Sequence, residues 1–335
     1  MSIKKMFAPM MKGVLALILL VAVCGAVPQA SAQVNFPRKA FEFIAPSGAG
    51  GGWDLTIRTV AKTLQDNKLV KVPMPVTNKA GAGGGVTLAY MQDRKGSDTL
   101  LVVYSAPLLL INLTGTTPLS YKNTTPLARL IVDYGCFAVA KKSKFKTIND
   151  VMDALKKDPK SVKIGGTSAA GSLDHLQFLA MAKAAGVTRL REIDYISFQD
   201  ATGAAMLMGG HIDLLSTGLG DISGVIESGD VIALATTAAE RAGGEFANIP
   251  TCREQGIDAD FGNWRGLFGA PGMPDYAVQF WRETLKKMVE TKDWKAACVR
   301  NGWAEYYADK PEFEKYLYDT NEEYRYLLSE IGLLK

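Results

Sequence analysis

Two crowded glycine turns carry the most chemistry in this chain: Ser47-Gly48-Ala49-Gly50-Gly51-Gly52-Trp53-Asp54 and Asn78-Lys79-Ala80-Gly81-Ala82-Gly83-Gly84-Gly85. Glycine loses more backbone entropy on folding than any other residue, so this density needs a reason. Each turn runs into apolar residues at helical spacing, and a helix start presents unpaired N–H donors at the positive end of its dipole. That combination suits close approach of an anion to bare main chain. A third turn, Gly166-Thr167-Ser168-Ala169-Ala170-Gly171-Ser172, is also built of small residues and also leads into a helical pattern. Each charge-assisted hydrogen bond to a carboxylate contributes roughly 1.5–3 kcal/mol. Micromolar binding needs about 8 kcal/mol, which three helix starts can supply after desolvation and ordering. No arginine is required.

Other chemistries fail on spacing. A phosphate-binding P-loop needs Lys-Ser or Lys-Thr after its last glycine, where this chain has Asp54 and Val86. The dinucleotide fingerprint needs glycines at its first, third and sixth positions, but Trp53 and Val86 stand where the last should be. Gly166-Thr167-Ser168-Ala169-Ala170 lacks the closing glycine of a nucleophile elbow. Ser172, Asp174 and His175 lie too close on one helix start to form a catalytic relay, and Ser172 reads as its N-cap. His175 and His211 are the two histidines and have no partners at metal-ligand spacing. No cofactor, metal or catalytic residue is expected.

The elements that must position these turns alternate between strand and helix. Phe41–Ala45 reads as a buried strand, followed by Ile57, Val60, Ala61 and Leu64 on one helical face. Val72–Val76 is an edge strand, with Pro73 and Pro75. Leu100–Tyr104, ahead of Ser105, is a buried strand, and so are Phe137–Ala140, Val162–Gly165, Ile193–Ile196, Ile212–Leu215 and Val231–Leu234. Helices follow at Ile148–Leu155, after Ser172 and at Ala204–Met208. This order implies an α/β protein with a largely parallel sheet covered by helices, whose loops gather at the carboxyl ends of the strands. From Pro271 the chain is expected to be helical, ending in a stripe of Phe313, Leu317, Thr320, Tyr324, Leu327, Leu328 and Ile331 docked on the body.

Lys4, Lys5 and Lys12, the apolar run Val14–Val27 and Ala30-Ser31-Ala32 form an export signal over residues 1–32. Cys24 raises lipid anchoring as an alternative. The whole chain has 38 basic and 34 acidic residues, and the signal carries three of the lysines and no acid. The near-neutral remainder argues against nucleic acid and against a polybasic membrane role. Cys136, Cys252 and Cys298 permit one disulfide at most.

Further motifs extend the pattern: Lys146-Thr147-Ile148-Asn149-Asp150, Gly209-Gly210-His211-Ile212-Asp213, Pro250-Thr251-Cys252-Arg253-Glu254-Gln255-Gly256, Trp264-Arg265-Gly266-Leu267-Phe268-Gly269-Ala270-Pro271 and Glu330-Ile331-Gly332-Leu333. With the export signal and the two glycine turns, their order over residues 36–335 resembles the tripartite tricarboxylate transporter receptors, also called Bug proteins. The resemblance implies a monomeric, type II-like periplasmic binding protein with mixed, mainly parallel sheets and a ligand cleft between two domains. These domains comprise 33–138 with 254–335, and 139–253. It implies capture of a di-, tri- or aromatic carboxylate and delivery to a carrier with one large and one small membrane subunit. By position it assigns Ser47, Gly48, Gly51, Gly52, Trp53, Asp54, Asn78, Gly81, Gly83, Gly84 and Ser105 to one wall of the cleft. Ser168, Ser172, Phe198, Gln199, Asp200 and Ser216 form the other. Two departures bear on the second wall and the first turn: Ser197-Phe198-Gln199-Asp200 replaces a turn that is often glycine-rich, and Ser47 stands where proline or another small residue is common. Asp54 either meets ligand or caps its helix and pairs with Arg58, and Arg265 either reaches a second carboxylate or braces the crossing strands. A receptor for another carrier or a sensor kinase is the alternative, and an exported hydrolase a remoter one.

Overall fold

Parallel pairing opens the fold in the structure, a computed structural model that describes residues 36–198, 202–330 and 332–335. The export signal, Gln199 and Asp200 lie outside the described residues. β1 (Glu42–Ala45) pairs in parallel with β2 (Val76–Asn78) and with β3 (Leu100–Ser105). α1 (Gly52–Asp66) and α2 (Gly85–Gln92) connect them. α1 forms because Ile57, Val60, Ala61 and Leu64 share one face, and all four are buried. β2 starts later than the predicted Val72–Val76 strand. Pro73 and Pro75 have no N–H to give a ladder, although their carbonyls still accept from Phe41 and Phe43. α3 (Pro107–Leu113) has no counterpart in the sequence prediction, because Leu108-Leu109-Leu110-Ile111 is apolar all round and shows no period.

β4 (Thr125–Ala140) is a 16-residue strand, of which the sequence predicts only the last four. The chain then runs through α4 (Ile148–Lys157), β5 (Ile164–Gly166), α5 (Leu173–Ala184), β6 (Tyr195–Ser197), α6 (Gly203–Met208), β7 (Leu214–Gly218), α7 (Leu219–Glu227) and β8 (Val231–Thr236). It returns as β9 (Gly262–Gly269) and ends with α8 (Asp275–Val289), α9 (Lys292–Arg300), β10 (Trp303–Asp309) and α10 (Lys310–Glu330). β10 interrupts the all-helical tail the sequence predicts. It runs antiparallel to β4, so this stretch is held by a ladder rather than by its own periodicity.

Strand order is β2-β1-β3-β9-β4-β7-β5-β6, with β8 and β10 also on β4. The flanks are parallel, and the ladders between β4 or β3 and their return partners are antiparallel. β4 changes partners at one point. Through Tyr134 it pairs with β9, and from Gly135 it pairs with β7 and β8. Thr237 pins that point: its hydroxyl accepts from Gly135 N at 2.7 Å and donates to the Phe261 carbonyl at 2.5 Å, just before β9.

Apolar residues alternate through the first sheet as strand geometry requires. Phe43, Leu101 and Val103 face a core with Ile57 and Trp281, whereas Ile44, Val102 and Tyr104 face one with Trp264, Phe268 and Phe313. The α10 stripe is buried at Phe313, Leu317, Thr320, Tyr324 and Leu328, while Tyr318 and Tyr326 stay exposed. Cys136, Cys252 and Cys298 are all free and buried, so none is in a disulfide.

Candidate functional site

The first turn leaves β1 at Pro46 and is drawn together by Asp54, in the first turn of α1. One Asp54 carboxylate oxygen accepts from Gly50 N (2.9 Å). The other accepts from Arg58 Nε and Asn78 Nδ2, both at 2.8 Å. Burial alone would favour the neutral acid, but these hydrogen bonds outweigh it and hold the carboxyl below its ordinary pKa. Asp54 pairs with Arg58 as one of its two expected roles requires. Asn78 is equally committed: its amide also donates to Ser47 O (3.0 Å) and its carbonyl accepts from Arg58 (3.0 Å). The two glycine turns are thereby tied to each other. The N–H groups of Gly52, Trp53 and Asp54 find no acceptor among the described residues.

Trp53 closes the gap between the turns. Its indole donates to Ser105 Oγ (2.9 Å) and meets Tyr104 edge-on at 5.8 Å. Gly84 fits beneath with φ +98°, where a Cβ would come within 2.9 Å of Tyr104 and 3.3 Å of Trp53. Tyr104 donates to the Gly84 carbonyl. Gly81 and Gly83 also have positive φ and are exposed, as is Gly48, whereas Ser47, Gly51 and Gly52 are half-buried. Ser105 is 2 % exposed. Its hydroxyl is taken by the Trp53 indole.

The third turn is organised differently from the sequence prediction. Asp174 Oδ2 accepts from Thr167 N, Thr167 Oγ1 and Ser168 N, all within 2.9 Å, and Gly171 N donates to His175 Nδ1. These amides are therefore spent internally. Burial pushes the Asp174 carboxyl up to about 6 against the pull of those donors. Burial also pushes His175, stacked on Tyr195 at 4.4 Å, down to about 4. Ser168, not Ser172, caps α5, its hydroxyl accepting from Asp174 N (3.0 Å). Ser172 occupies the N-cap position but makes no capping bond. Ser216 is fully buried, donates to the Asp174 carbonyl and accepts from Gln177. Its hydroxyl is thus committed to α5. Phe198 is half-buried, its ring edge 2.9 Å from where a Gly165 Cβ would stand.

Between the walls lies an ion pair assembled from distant segments. Arg265 of β9 donates to Asp133 of β4 (2.5 Å) and to Thr56 of α1 (3.1 Å), and both charged residues are almost fully buried. Its guanidinium abuts Gly52, where a Cβ would be 2.9 Å from Cζ. Burial, with Asp221 and Asp174 nearby, raises the Asp133 pKa, and Arg265 opposes the rise. Arg265 is thus the brace of the two alternatives. Sequence reasoning missed Asp133, although a lone charge within the apolar stretch Leu130-Ile131-Val132 is the mark of a buried partner.

Two half-sheets sharing one long strand, with small-residue turns gathered at the ends of their parallel strands, define a protein of the periplasmic-binding-protein type. The sequence profile described as "Tripartite tricarboxylate transporter family receptor" matches residues 57–333. The chain belongs to that family. It is similar to Protein BugT of Bordetella pertussis, 27% identical over 70% of this chain and 71% of that protein. Among solved structures it is similar to a ligand-free TctC solute-binding protein from Polaromonas, at 26% identity and TM-score 0.68, covering 88% of this chain and 99% of that one. A Rhodopseudomonas protein, R. palustris Rpa4515 with adipate, shares the fold at TM-score 0.78 and 18% identity, covering 89% and 99%. No described helix is long and apolar enough to cross a membrane.

Proposed function

We propose that this chain is an exported receptor that holds a small organic carboxylate between its two lobes and hands it to a two-subunit membrane carrier. The lobes are 36–134 with 262–335, and 135–261, divided where β4 changes partners and where Thr237 holds Phe261. In this reading the crossings lie four and eight residues from the 138/139 and 253/254 boundaries that the family resemblance implies. The observation carrying the reading is the start of α1. Gly52, Trp53 and Asp54 offer three N–H donors without acceptors, on a loop that Asp54 and Asn78 hold rigid. Donors fixed before binding cost little ordering, so their hydrogen bonds to an anion appear nearly whole in the affinity. Gly81 and Gly83 expose main chain beside them, and Ser168, Ser172 and Phe198 form the facing wall. The adipate-bound relative supports a carboxylate guest. The protein binds and releases; it catalyses nothing.

A thermal-shift screen of the mature protein tests this. A carboxylate at 100 times its dissociation constant adds about 2.7 kcal/mol. At roughly 2–4 °C per kcal/mol, and slightly less for this length, Tm rises by about 5–10 °C. Shifts with carboxylates and none with neutral sugars are expected. A sugar shift with every acid silent refutes the reading.

A further inference from the structure

Three aspartates stand in the first turn of a helix that follows a strand of the parallel flanks: Asp54 in α1, Asp174 in α5 and Asp221 in α7. The first two are buried, and their carboxylates are filled by N–H donors of their own loops. Asp221 differs on both counts. The residue is exposed to solvent, and its carboxyl has no hydrogen-bond or ion-pair partner among the described residues. Yet protein surrounds it deeply enough that desolvation raises its pKa against the pull of Arg265. A group that water reaches while protein crowds it lines a concavity, not a convex surface.

The position of that concavity follows from Gly218, the last residue of β7. A Cβ built there would lie 2.8 Å from Asp221 Oδ2 and 3.3 Å from Asp133 Oδ2, so the two carboxylates flank one point. Asp133 in turn holds Arg265, which lies against Gly52 at the start of α1. Asp221 therefore sits at the floor between the walls, on the same ion-pair cluster that the free amides of α1 adjoin. One guanidinium there faces two acids, Asp133 and Asp221. Two buried polar atoms of the cluster, Asp133 Oδ1 and Arg265 Nε, have no hydrogen-bond partner. A guest bearing only carboxylates would add negative charge to this floor, whereas a guest with a cationic donor would complete it.

We propose that Asp221 is a specificity-determining residue that accepts the ammonium of an amine-bearing carboxylate whose acid group is held by the α1 turn. This rests on the reading of the cleft as a carboxylate site and narrows it to one class. Gly218 serves the arrangement, since any side chain at that position would fill the space between the two acids.

Calorimetry on mature wild-type protein tests the proposal with carboxylates of two to six carbons, each paired with its amino analogue, such as glutarate with glutamate and butyrate with 4-aminobutyrate. The amine-bearing member of at least one pair is expected to bind tenfold or more tightly than its partner. Asp221→Asn is expected to abolish that preference, bringing the affinities of the two members of the pair within about threefold of each other. Equal or tighter binding of the amine-free members by wild type overturns the proposal and leaves carboxylate capture standing. So does an amine preference that survives in Asp221→Asn. If no member of any pair binds, the proposal falls, and carboxylate capture is decided by the thermal-shift screen. Because the wild-type comparison alone decides the preference, the test does not depend on the variant folding.

Discussion

Asp54 shows how one side chain can fix the main chain around the proposed site through hydrogen bonds of its own. Its two oxygens take three donors, from the loop, the helix and the neighbouring turn, and so fix where the remaining amides point. Asp54→Ala leaves the Gly50 amide without its acceptor and takes one of two from the Asn78 amide, a loss of about 2–3 kcal/mol. A Tm lower by roughly 4–12 °C is expected in calorimetry. A drop under 1 °C would show that the carboxylate braces nothing. The glycines are likewise unequal. Gly51 has φ −75° and nothing closer than 3.6 Å to a new Cβ, so Gly51→Ala should stay within about 0.5 kcal/mol of wild type. Gly84 combines φ +98° with a 2.9 Å approach to Tyr104, and Gly84→Ala is expected to cost about 1–3 kcal/mol. Urea titration of the pair checks the ordering, and equal midpoints would contradict it.

At the level of elements, the third turn and α5 depend on a neutral histidine. His175 Nδ1 accepts from Gly171 N, which a protonated imidazole cannot do. Its folded pKa of about 4 lies below the ordinary value of 6.5. Its contribution is thus complete above pH 6.5 and is lost as pH falls towards and through 4. At about 1.4 kcal/mol per pH unit the loss reaches about 3 kcal/mol at most. Asp174, pushed up to about 6, works in the opposite sense, because its neutral form suits the fold and favours it as pH falls below 6. Wild type must therefore be compared with His175→Asn, which retains Asp174. The stability difference between them should narrow or reverse from pH 7 to pH 4, and parallel curves would remove the histidine from the account. The crossing strands hang on Thr237 in the same way. Thr237→Val keeps the shape but orphans the Gly135 amide, and a loss of about 1–3 kcal/mol in chemical denaturation is expected. No loss would mean the Gly135 amide finds another acceptor.

At the scale of the whole molecule, the parts read most easily from sequence were those built by neighbours in the chain. The buried runs at β1 and β3, the face of α1 and the glycine turns each rest on a period or a backbone requirement that a short window displays. β4 was legible only at its end, because its first part carries Pro126, Arg129 and Asp133, which break the apolar run. β10 was illegible because its place is set by the ladder to β4. Sequence by itself determined the α/β class, the family and the presence of main-chain donors at helix starts, since these follow from local composition and the order of motifs. Tertiary structure alone decided which donors stay free and which acids remain unpaired. Asp174 takes the amides of its own loop, and Arg265 finds Asp133 from 132 residues away. Hydrogen-bond capacity is written in the residue type. Its expenditure depends on which groups packing brings within 3 Å, and only the folded chain specifies that.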